Sequence, residues 1–356
     1  MVKNAFNLEK KLVAQSGKPG EYTRESPYAI TTPNGIQCRI CPHNCLLPEG
    51  SVGKCLTHLA RDGKLLTTAY GNPCAVHADP IEKKPLYHFL PGTKAFSIAT
   101  AGCNFTCLNC QNAEISQKGP ENTDNVVLFP ENVVEAAIHS GCRSIAYTYS
   151  EPVAFYEYML DTARIARSHG IKNLMISNGF INQPPLRELC KYLDAANIDL
   201  KAFSNKIYAE LSGGRLNPVL NTLKILRDEG VWVEITNLVI PGVTDDLTMI
   251  REMCEWLVKN GFADTPLHFS RFHPMFKMPD VPLTPVGVLN DAREIAMHAG
   301  IRFVYIGNVR GTNAENTFCP SCKKIIVERE GFRVGARHMN GDRCSFCGEG
   351  IAGIWE

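Results

Sequence analysis

Three cysteines, Cys103, Cys107 and Cys110, stand in a CxxxCxxC pattern within 98-IATAGCNFTCLNCQN, directly after a short apolar run. A structural zinc site or an ordinary iron–sulfur cluster takes four protein ligands. Three closely spaced thiolates with no fourth Cys or His beside them describe an incomplete site. A cubane [4Fe–4S] cluster held at three corners leaves one iron open, and the amino and carboxylate groups of a methionine moiety can chelate that iron. The other reading is a zinc site completed by a distant ligand. Gly102 allows the backbone to approach closely at the first ligand.

Twelve of the fifteen cysteines fall in three regions, 38–74, 103–110 and 319–347. In a reducing compartment such grouping points to metal rather than disulfides. Cys319-Pro-Ser-Cys322 and Cys344-Ser-Phe-Cys347, separated by 21 residues, read as a four-cysteine zinc ribbon with a hairpin from Val327 to Val334 turning at Gly331. An auxiliary iron–sulfur cluster is the alternative there. The leader carries Cys38-x2-Cys41-x3-Cys45, then Cys55 and, further on, Cys74, with turns at Gly50 and Gly53. Zinc and a second iron–sulfur cluster both fit the first four. His43, His58 and His77 are alternative ligands, but as loop residues they read first as exposed. Cys142, Cys190 and Cys254 stand singly in apolar or helical stretches and read as small core or surface residues.

The elements that must position these groups alternate. Strand candidates are 95-AFSIAT, 144-SIAYTY, 173-NLMIS, 196-ANIDL, 231-VWVEITNLVI and 267-LHFSRF, with 302-RFVYI as a seventh. Helices are expected near 131–140, 154–169, 184–193, 216–228, 246–260 and 285–299, with Pro130 opening one and Gly170, Gly230 and Gly300 closing others. Apolar strands alternating with helices make a parallel α/β sheet. Six or seven units are too few for a closed eight-stranded barrel, so a partial barrel and an open doubly wound sheet both fit. In either, chemistry belongs at the C-terminal ends of the strands. The sequence divides into a Cys-rich leader with a possible metal site at 1–94, a core at 95–311 and a zinc-ribbon-like module at 312–356. Segments as short as the two ends rarely bury enough apolar surface, so bound metal would supply stability.

Bulk composition excludes some classes. Lys and Arg total 37 against 36 acidic residues, and a net charge of +1 gives no support for a nucleic-acid or membrane-surface partner. No apolar run approaches the roughly 18 to 20 residues that span a bilayer. Residues 1–20 are Lys-rich and polar with no signal-peptide core, so a cytoplasmic location is expected.

CxxxCxxC at the end of the first strand of a βα array resembles the radical S-adenosylmethionine (SAM) superfamily. Within it, 102-GCNFTCLNCQNAEIS is similar to the pyruvate formate-lyase activating enzyme-like branch, and 79-DPIEKKPLYHFLPG with the cysteine-rich leader resembles the AmmeMemoRadiSam system radical SAM enzymes. The resemblance implies a partial (β/α)6 TIM-like barrel of the radical SAM type, flanked by small Cys-rich N- and C-terminal metal modules. It implies a [4Fe–4S] cluster on Cys103, Cys107 and Cys110, with Phe105, Gln111 and Asn112 beside them in the SAM site. The position before the third cysteine, aromatic in the family, is Asn109 here. The segment 82-EKKP reads either as a substrate clamp or as a solvated linker anchored at Tyr87.

The resemblance also assigns the later strand ends. Glu151 and Pro152 match half of a Gly-Gly-Glu-Pro segment that binds the SAM amino group, with Tyr149 and Ser150 in place of the glycines; the plainer reading is that Pro152 opens a helix with Glu151 at its N-terminus. Asn178, in Ser177-Asn178-Gly179, matches a turn near the ribose and carboxylate, though Asn-Gly is also a common turn. Asp199 and Lys201 lie on the same side of a strand end, as a SAM-carboxylate contact or as a buried ion pair. His273 resembles a histidine near the adenosyl group, with Asn308 a weaker counterpart.

The implied activity is reductive cleavage of SAM to a 5′-deoxyadenosyl radical that abstracts hydrogen from a substrate, a protein or peptide by analogy with glycyl-radical activases. Such an oxidoreductase needs a one-electron donor such as flavodoxin or ferredoxin. The rival classes are a non-catalytic metal-scaffolded protein-binding module and an iron–sulfur electron carrier.

Overall fold

The structure, a computed structural model, describes residues 22–356. The polar stretch at 1–20 lies outside the described residues. The alternation expected from the sequence is present. Seven strands, β1 (Lys94–Ala99), β2 (Ser144–Tyr147), β3 (Lys172–Ser177), β4 (Ala195–Asp199), β5 (Trp232–Val239), β6 (Leu267–Arg271) and β7 (Val304–Gly307), alternate with helices. The principal helices are α1 (Pro130–His139), α2 (Tyr156–Ser168), α3 (Gln183–Cys190), α4 (Asn205–Ser212), α5 (Leu216–Asp228), α6 (Leu247–Lys259) and α7 (Val286–Ala299). All four residues of β2 are buried. Burial on both faces explains why these strands read as apolar runs rather than as an alternating pattern.

The chain forms two compact units. The first runs to Asp79 and takes in Lys94–Thr106 and Gln111–Asp194. In it β2 pairs in parallel with both β1 and β3, with Ile145 opposite Phe96 and Ala146 opposite Leu174. The leader adds two small antiparallel sheets, one of Ala29–Thr32, Gly35–Cys38 and Leu46–Leu47, the other of Arg24–Glu25, His58–Arg61 and Lys64–Thr67. These strands of two to four residues, all but Leu46–Leu47 polar or mixed in composition, stand outside the strand–helix alternation, so no apolar run marked them.

The second unit comprises Pro80–Thr93, Cys107–Cys110 and Ala195–Glu356. Here β4, β5, β6 and β7 pair in parallel in chain order. Helix α4 was not anticipated: Ser204 caps its first turn by accepting from the Ile207 N–H, and Gly213 ends it in the left-handed region. The C-terminal residues form the expected hairpin, Ile325–Glu330 with Arg333–Arg337, turning at Gly331. An apolar cluster of Tyr87, Phe303, Tyr305, Ile326, Val327, Ile351 and Trp355 joins this hairpin to β7 and to the strap at 80–93.

In that strap Glu82, Lys84, Tyr87 and His88 are all buried, which overturns the solvated-linker reading of the 82-EKKP segment. Its anchor is Glu234 in β5. One carboxylate oxygen accepts the His88 N–H at 2.7 Å and Trp232 Nε1 at 3.2 Å; the other accepts the Tyr87 N–H at 3.0 Å and His268 Nε2 at 2.7 Å. Burial works against this carboxylate, but His268 and the strap's N–H groups outweigh it and hold its pKa below the usual range. Arg329 of the hairpin completes the joint, donating to the Tyr87 carbonyl and to Thr317 Oγ1, each at 2.7 Å, with its guanidinium 4.3 Å from the Tyr87 ring centroid. His88 Nδ1 donates to the Ala352 carbonyl, and its Nε2 accepts from the Tyr305 hydroxyl, both at 2.6 Å.

Removing the anchor leaves four donors without an acceptor. Glu234→Ala is expected to lower unfolding stability by about 3–5 kcal/mol, read by urea denaturation. A loss under about 1 kcal/mol would contradict this account. Burial holds His88 down to about 4, so it is neutral when folded and takes up a proton on unfolding below its ordinary pKa of 6.5. Its contribution is complete above pH 6.5 and is lost as pH falls toward 4. The His88→Gln protein should show a shallower decline of stability across that window.

Candidate functional site

In the first unit, the end of β1 runs straight into Gly102 and Cys103. Gly102 has φ +94°, and a Cβ there would stand 2.4 Å from the Cys55 carbonyl oxygen and 2.6 Å from Thr57 Cγ2. Only glycine fits. The Cys103 sulfur accepts the Phe105 N–H at 3.3 Å and faces Asn178 Nδ2 at 4.0 Å. Asn178 is fixed on both sides: its Nδ2 donates to Asn104 Oδ1 at 2.8 Å, and its Oδ1 accepts the Phe180 N–H at 2.9 Å. Asn104 in turn donates to the Phe180 carbonyl at 2.9 Å. The sequence reading passed over Asn104, although it lies inside the motif.

The ends of β2 and β3 are tied together by Glu151. It accepts Ser177 Oγ at 2.6 Å and the Val153 N–H at 3.1 Å on one oxygen, and the Asn178 N–H at 2.9 Å on the other. Its contact with Val153 makes it the cap of the helical turn Pro152–Phe155, the plainer of its two readings. Ser150 Oγ donates to the Thr100 carbonyl at 2.7 Å, and Asn112 Nδ2 to the Tyr149 carbonyl at 2.7 Å. Tyr149, where the family has glycine, has φ +64°, and its hydroxyl bonds Asp79. Gln111 is exposed, and Phe105 is buried with its ring centroid 5.0 Å from that of Phe180.

The leader closes on the same loop. His43 Nε2 lies 2.8 Å from the Asn104 carbonyl and donates to it. Cys38, Cys41, Cys45 and Cys55 stand near enough for their charges to interact; burial, reinforced by that repulsion, pushes the Cys41 thiol up to about 12. His58 is a correction, since it is buried rather than exposed. Its Nδ1 lies 3.3 Å from the Cys55 sulfur and its Nε2 3.0 Å from Glu157. Burial disfavours the imidazolium, but Glu157 and Cys55 outweigh it and raise the pKa of His58. Thr57 Oγ1 bonds both the Cys55 sulfur, at 3.2 Å, and the Ala154 carbonyl, at 2.6 Å. No sequence signal links Glu157 to a histidine 99 residues away. Cys74 stands apart, its sulfur 3.6 Å from the Ala99 carbonyl.

In the second unit, Lys201 Nζ lies 2.9 Å from Asp199 Oδ2, so the ion pair foreseen at the end of β4 exists. Burial works against the ammonium, but Asp199 and the nearby Cys107 outweigh it and raise its pKa. Tyr208 on α4 accepts the Lys201 N–H at 3.1 Å, a support the sequence did not reveal. The loop carrying Cys107 and Cys110 is held by backbone bonds from Leu108 N–H to the Leu211 carbonyl, 2.9 Å, and from Lys277 N–H to the Leu108 carbonyl, 3.0 Å. Asn109 is buried, and its Oδ1 has no hydrogen-bond partner within the described residues. His273 is exposed beyond β6. Asn308 Nδ2 donates to the Arg271 carbonyl at 3.2 Å.

Cys319, Cys322, Cys344 and Cys347 bring their four sulfurs within 4.8 Å of one another. Cys319 and Cys347 are 3.6 Å apart, and Cys322 and Cys344 3.8 Å. Sulfurs on a tetrahedron with metal–sulfur bonds of about 2.3 Å stand about 3.8 Å apart, so the group suits a single metal ion. Cys142, Cys190 and Cys254 are buried, which decides between core and surface for all three.

The family model described as Radical SAM superfamily matches residues 97–257. An uncharacterized protein of Methanocaldococcus jannaschii is 43% identical over 320 residues, covering 89% of this chain and 95% of that protein. Pyruvate formate-lyase 1-activating enzyme of Escherichia coli is 26% identical over 149 residues, 41% of this chain and 61% of the enzyme, so the chain spans less than two thirds of it. A solved radical SAM methyltransferase from Sphaerobacter thermophilus shares 15% identity at TM-score 0.46, over 60% of this chain and 67% of that one. None of the described helices is long and apolar enough to cross a membrane. With its family match beginning inside β1 and taking in the three-thiol loop and the polar strand ends around it, the chain belongs to the radical SAM superfamily.

Proposed function

We propose that the protein is an enzyme that cleaves SAM reductively and uses the resulting radical to take hydrogen from a protein or peptide. The observation that carries this reading is the joint at Cys103. Its sulfur sits beside Asn178, which Glu151 holds, so the ends of β2 and β3 are aimed at the first cluster ligand. The donor set fits a [4Fe–4S] cluster: Cys103, Cys107 and Cys110 supply three thiolates on one eight-residue loop. The buried, unpartnered Asn109 Oδ1 fits as well, because such an acceptor is costly unless a ligand donor meets it.

When bound, the cluster supplies the electron that splits SAM into methionine and a 5′-deoxyadenosyl radical. The chain's own residues bind and orient the nucleotide. Lys201, steadied by Asp199 and Tyr208, offers a cation to the methionine carboxylate. Ser150, Glu151 and Asn178 frame the amino-acid end, and Asn109 accepts from the adenine amino group in place of the family's aromatic stacking. Phe105, Gln111 and Asn112 flank the ligands, and His273 lies toward the adenosyl group. These roles keep water and stray hydrogen donors from the reacting atoms. A flavodoxin- or ferredoxin-type protein supplies the electron, in the cytoplasm. The relation to activating enzymes supports a protein or peptide substrate. Cys319, Cys322, Cys344 and Cys347 hold zinc that stabilises the C-terminal hairpin.

The test is anaerobic reconstitution with iron and sulfide, reduction with dithionite and assay of 5′-deoxyadenosine. Cys110→Ala should abolish its formation; a variant that still makes it at the wild-type rate would sink the ligand assignment. Lys201→Met should weaken SAM binding about 10-fold or more, measured by anaerobic calorimetry, since a hydrogen bond to a charged group contributes about 1.5–3 kcal/mol. Denatured wild-type protein should release about one zinc ion per chain, and Cys319→Ser/Cys344→Ser none, with a lower Tm. Iron in place of zinc in that module would overturn the metal assignment.

A further inference from the structure

We infer that Cys38, Cys41, Cys45 and Cys55 hold a second iron–sulfur cluster, rather than zinc, placed to pass an electron to the cluster bound through Cys103. The inference rests on the reading of Cys103 as a cluster ligand. Its first support is the spacing of the thiols. One zinc ion draws four sulfurs to about 3.8 Å from each other, as the C-terminal group shows. Among the described residues, that C-terminal group alone brings three or more such ligand atoms within 4.8 Å of one another. Cys45 and Cys55 nonetheless flank one glycine. A Cβ on Gly53 would stand 3.8 Å from the Cys55 sulfur and 3.9 Å from the Cys45 sulfur. A cubane needs this looser arrangement, because each thiolate binds a different iron.

The second support is how the ligand loop is built. Cys38 N–H donates to the Cys45 carbonyl at 2.9 Å, Asn44 N–H to the Cys41 carbonyl at 3.0 Å, and Gly53 N–H to the His58 carbonyl at 2.7 Å. Asn44 and Leu56, next to two of the cysteines, adopt φ of +46° and +66°. Non-glycine residues keep such conformations only where the surroundings enforce them. Thr57 Oγ1 and His58 Nδ1 both approach the Cys55 sulfur, and Glu157 fixes the histidine ring. Hydrogen bonds to a ligand sulfur tune the potential of an iron–sulfur cluster, a property that redox-inert zinc lacks.

The third support is position. The leader touches both neighbours of Cys103: the Cys55 carbonyl packs on Gly102, and His43 bonds the Asn104 carbonyl. Two ligand loops in direct contact make a short path for an electron. In the relay, a reduced ferredoxin- or flavodoxin-type donor loses one electron, the leader cluster gains it and then yields it to the Cys103 cluster. No bond forms or breaks.

Anaerobic reconstitution of the full chain in two variant forms decides the matter. Cys103→Ala/Cys107→Ala/Cys110→Ala leaves the leader intact. It should retain about four irons and four sulfides per chain and, once reduced, an electron paramagnetic resonance signal that SAM does not alter. Cys38→Ser/Cys55→Ser should lose about four irons, keep a signal that SAM does alter, and lose reduction by a ferredoxin-type donor while dithionite still reduces it. A triple variant that carries zinc or no metal in the leader overturns the inference. So does a double variant with unchanged iron content. If the reading of Cys103 were at fault instead, the triple variant would keep all the wild-type iron, and no form would show a SAM-sensitive signal. Should the double variant fail to fold, the metal content of the triple variant still decides.

Discussion

The loop that carries Cys103 can exist only because residue 102 has no side chain. The Cys55 carbonyl occupies the place a Cβ would take, and Thr57 crowds it from the same side. Two distant stretches are thereby locked in register: the end of β1, which presents Cys103, and the leader turn, which presents Cys55. Asn104, Asn178 and Glu151 extend the joint to the ends of β2 and β3 through short hydrogen bonds among buried groups. In a low-dielectric interior such a network is either fully satisfied or costly, which makes it a rigid platform for a reactive site.

The second unit solves the same problem with a different group. A buried carboxylate, Glu234, gathers two backbone N–H groups of the strap together with Trp232 and His268. Arg329 and Tyr305 then bind the C-terminal hairpin to that strap. A short module that encloses little apolar surface thus gains stability from one shared cluster, one buried polar network and a four-thiol group that suits a metal ion. Within that strap Glu82, Lys84, Tyr87 and His88 are all buried.

The parallel strands were legible as apolar runs because they are buried on both faces, and most helices because each is long enough to show its period and is punctuated by Pro and Gly at the positions those residues favour. The C-terminal pairs were legible because a four-thiol group fixes residue type and spacing locally. The leader strands, of two to four residues, formed no apolar run, and α4 was hidden between a strand end and the next helix. The surroundings of His58 and Lys84 were misjudged because a polar residue in a loop-like sequence reads as solvated unless its partner is known.

By itself the sequence determined which residue types stand at spacings that suit chemistry and which run of elements presents them, since residue type, spacing and hydrophobic pattern are properties of neighbouring residues. Tertiary structure alone decided which polar groups meet. Glu157 finds His58, Glu234 finds the strap, and Cys55 finds Gly102 across long stretches of chain. A buried polar group must be paired, but composition does not say by whom. Only the folded chain chooses the partner.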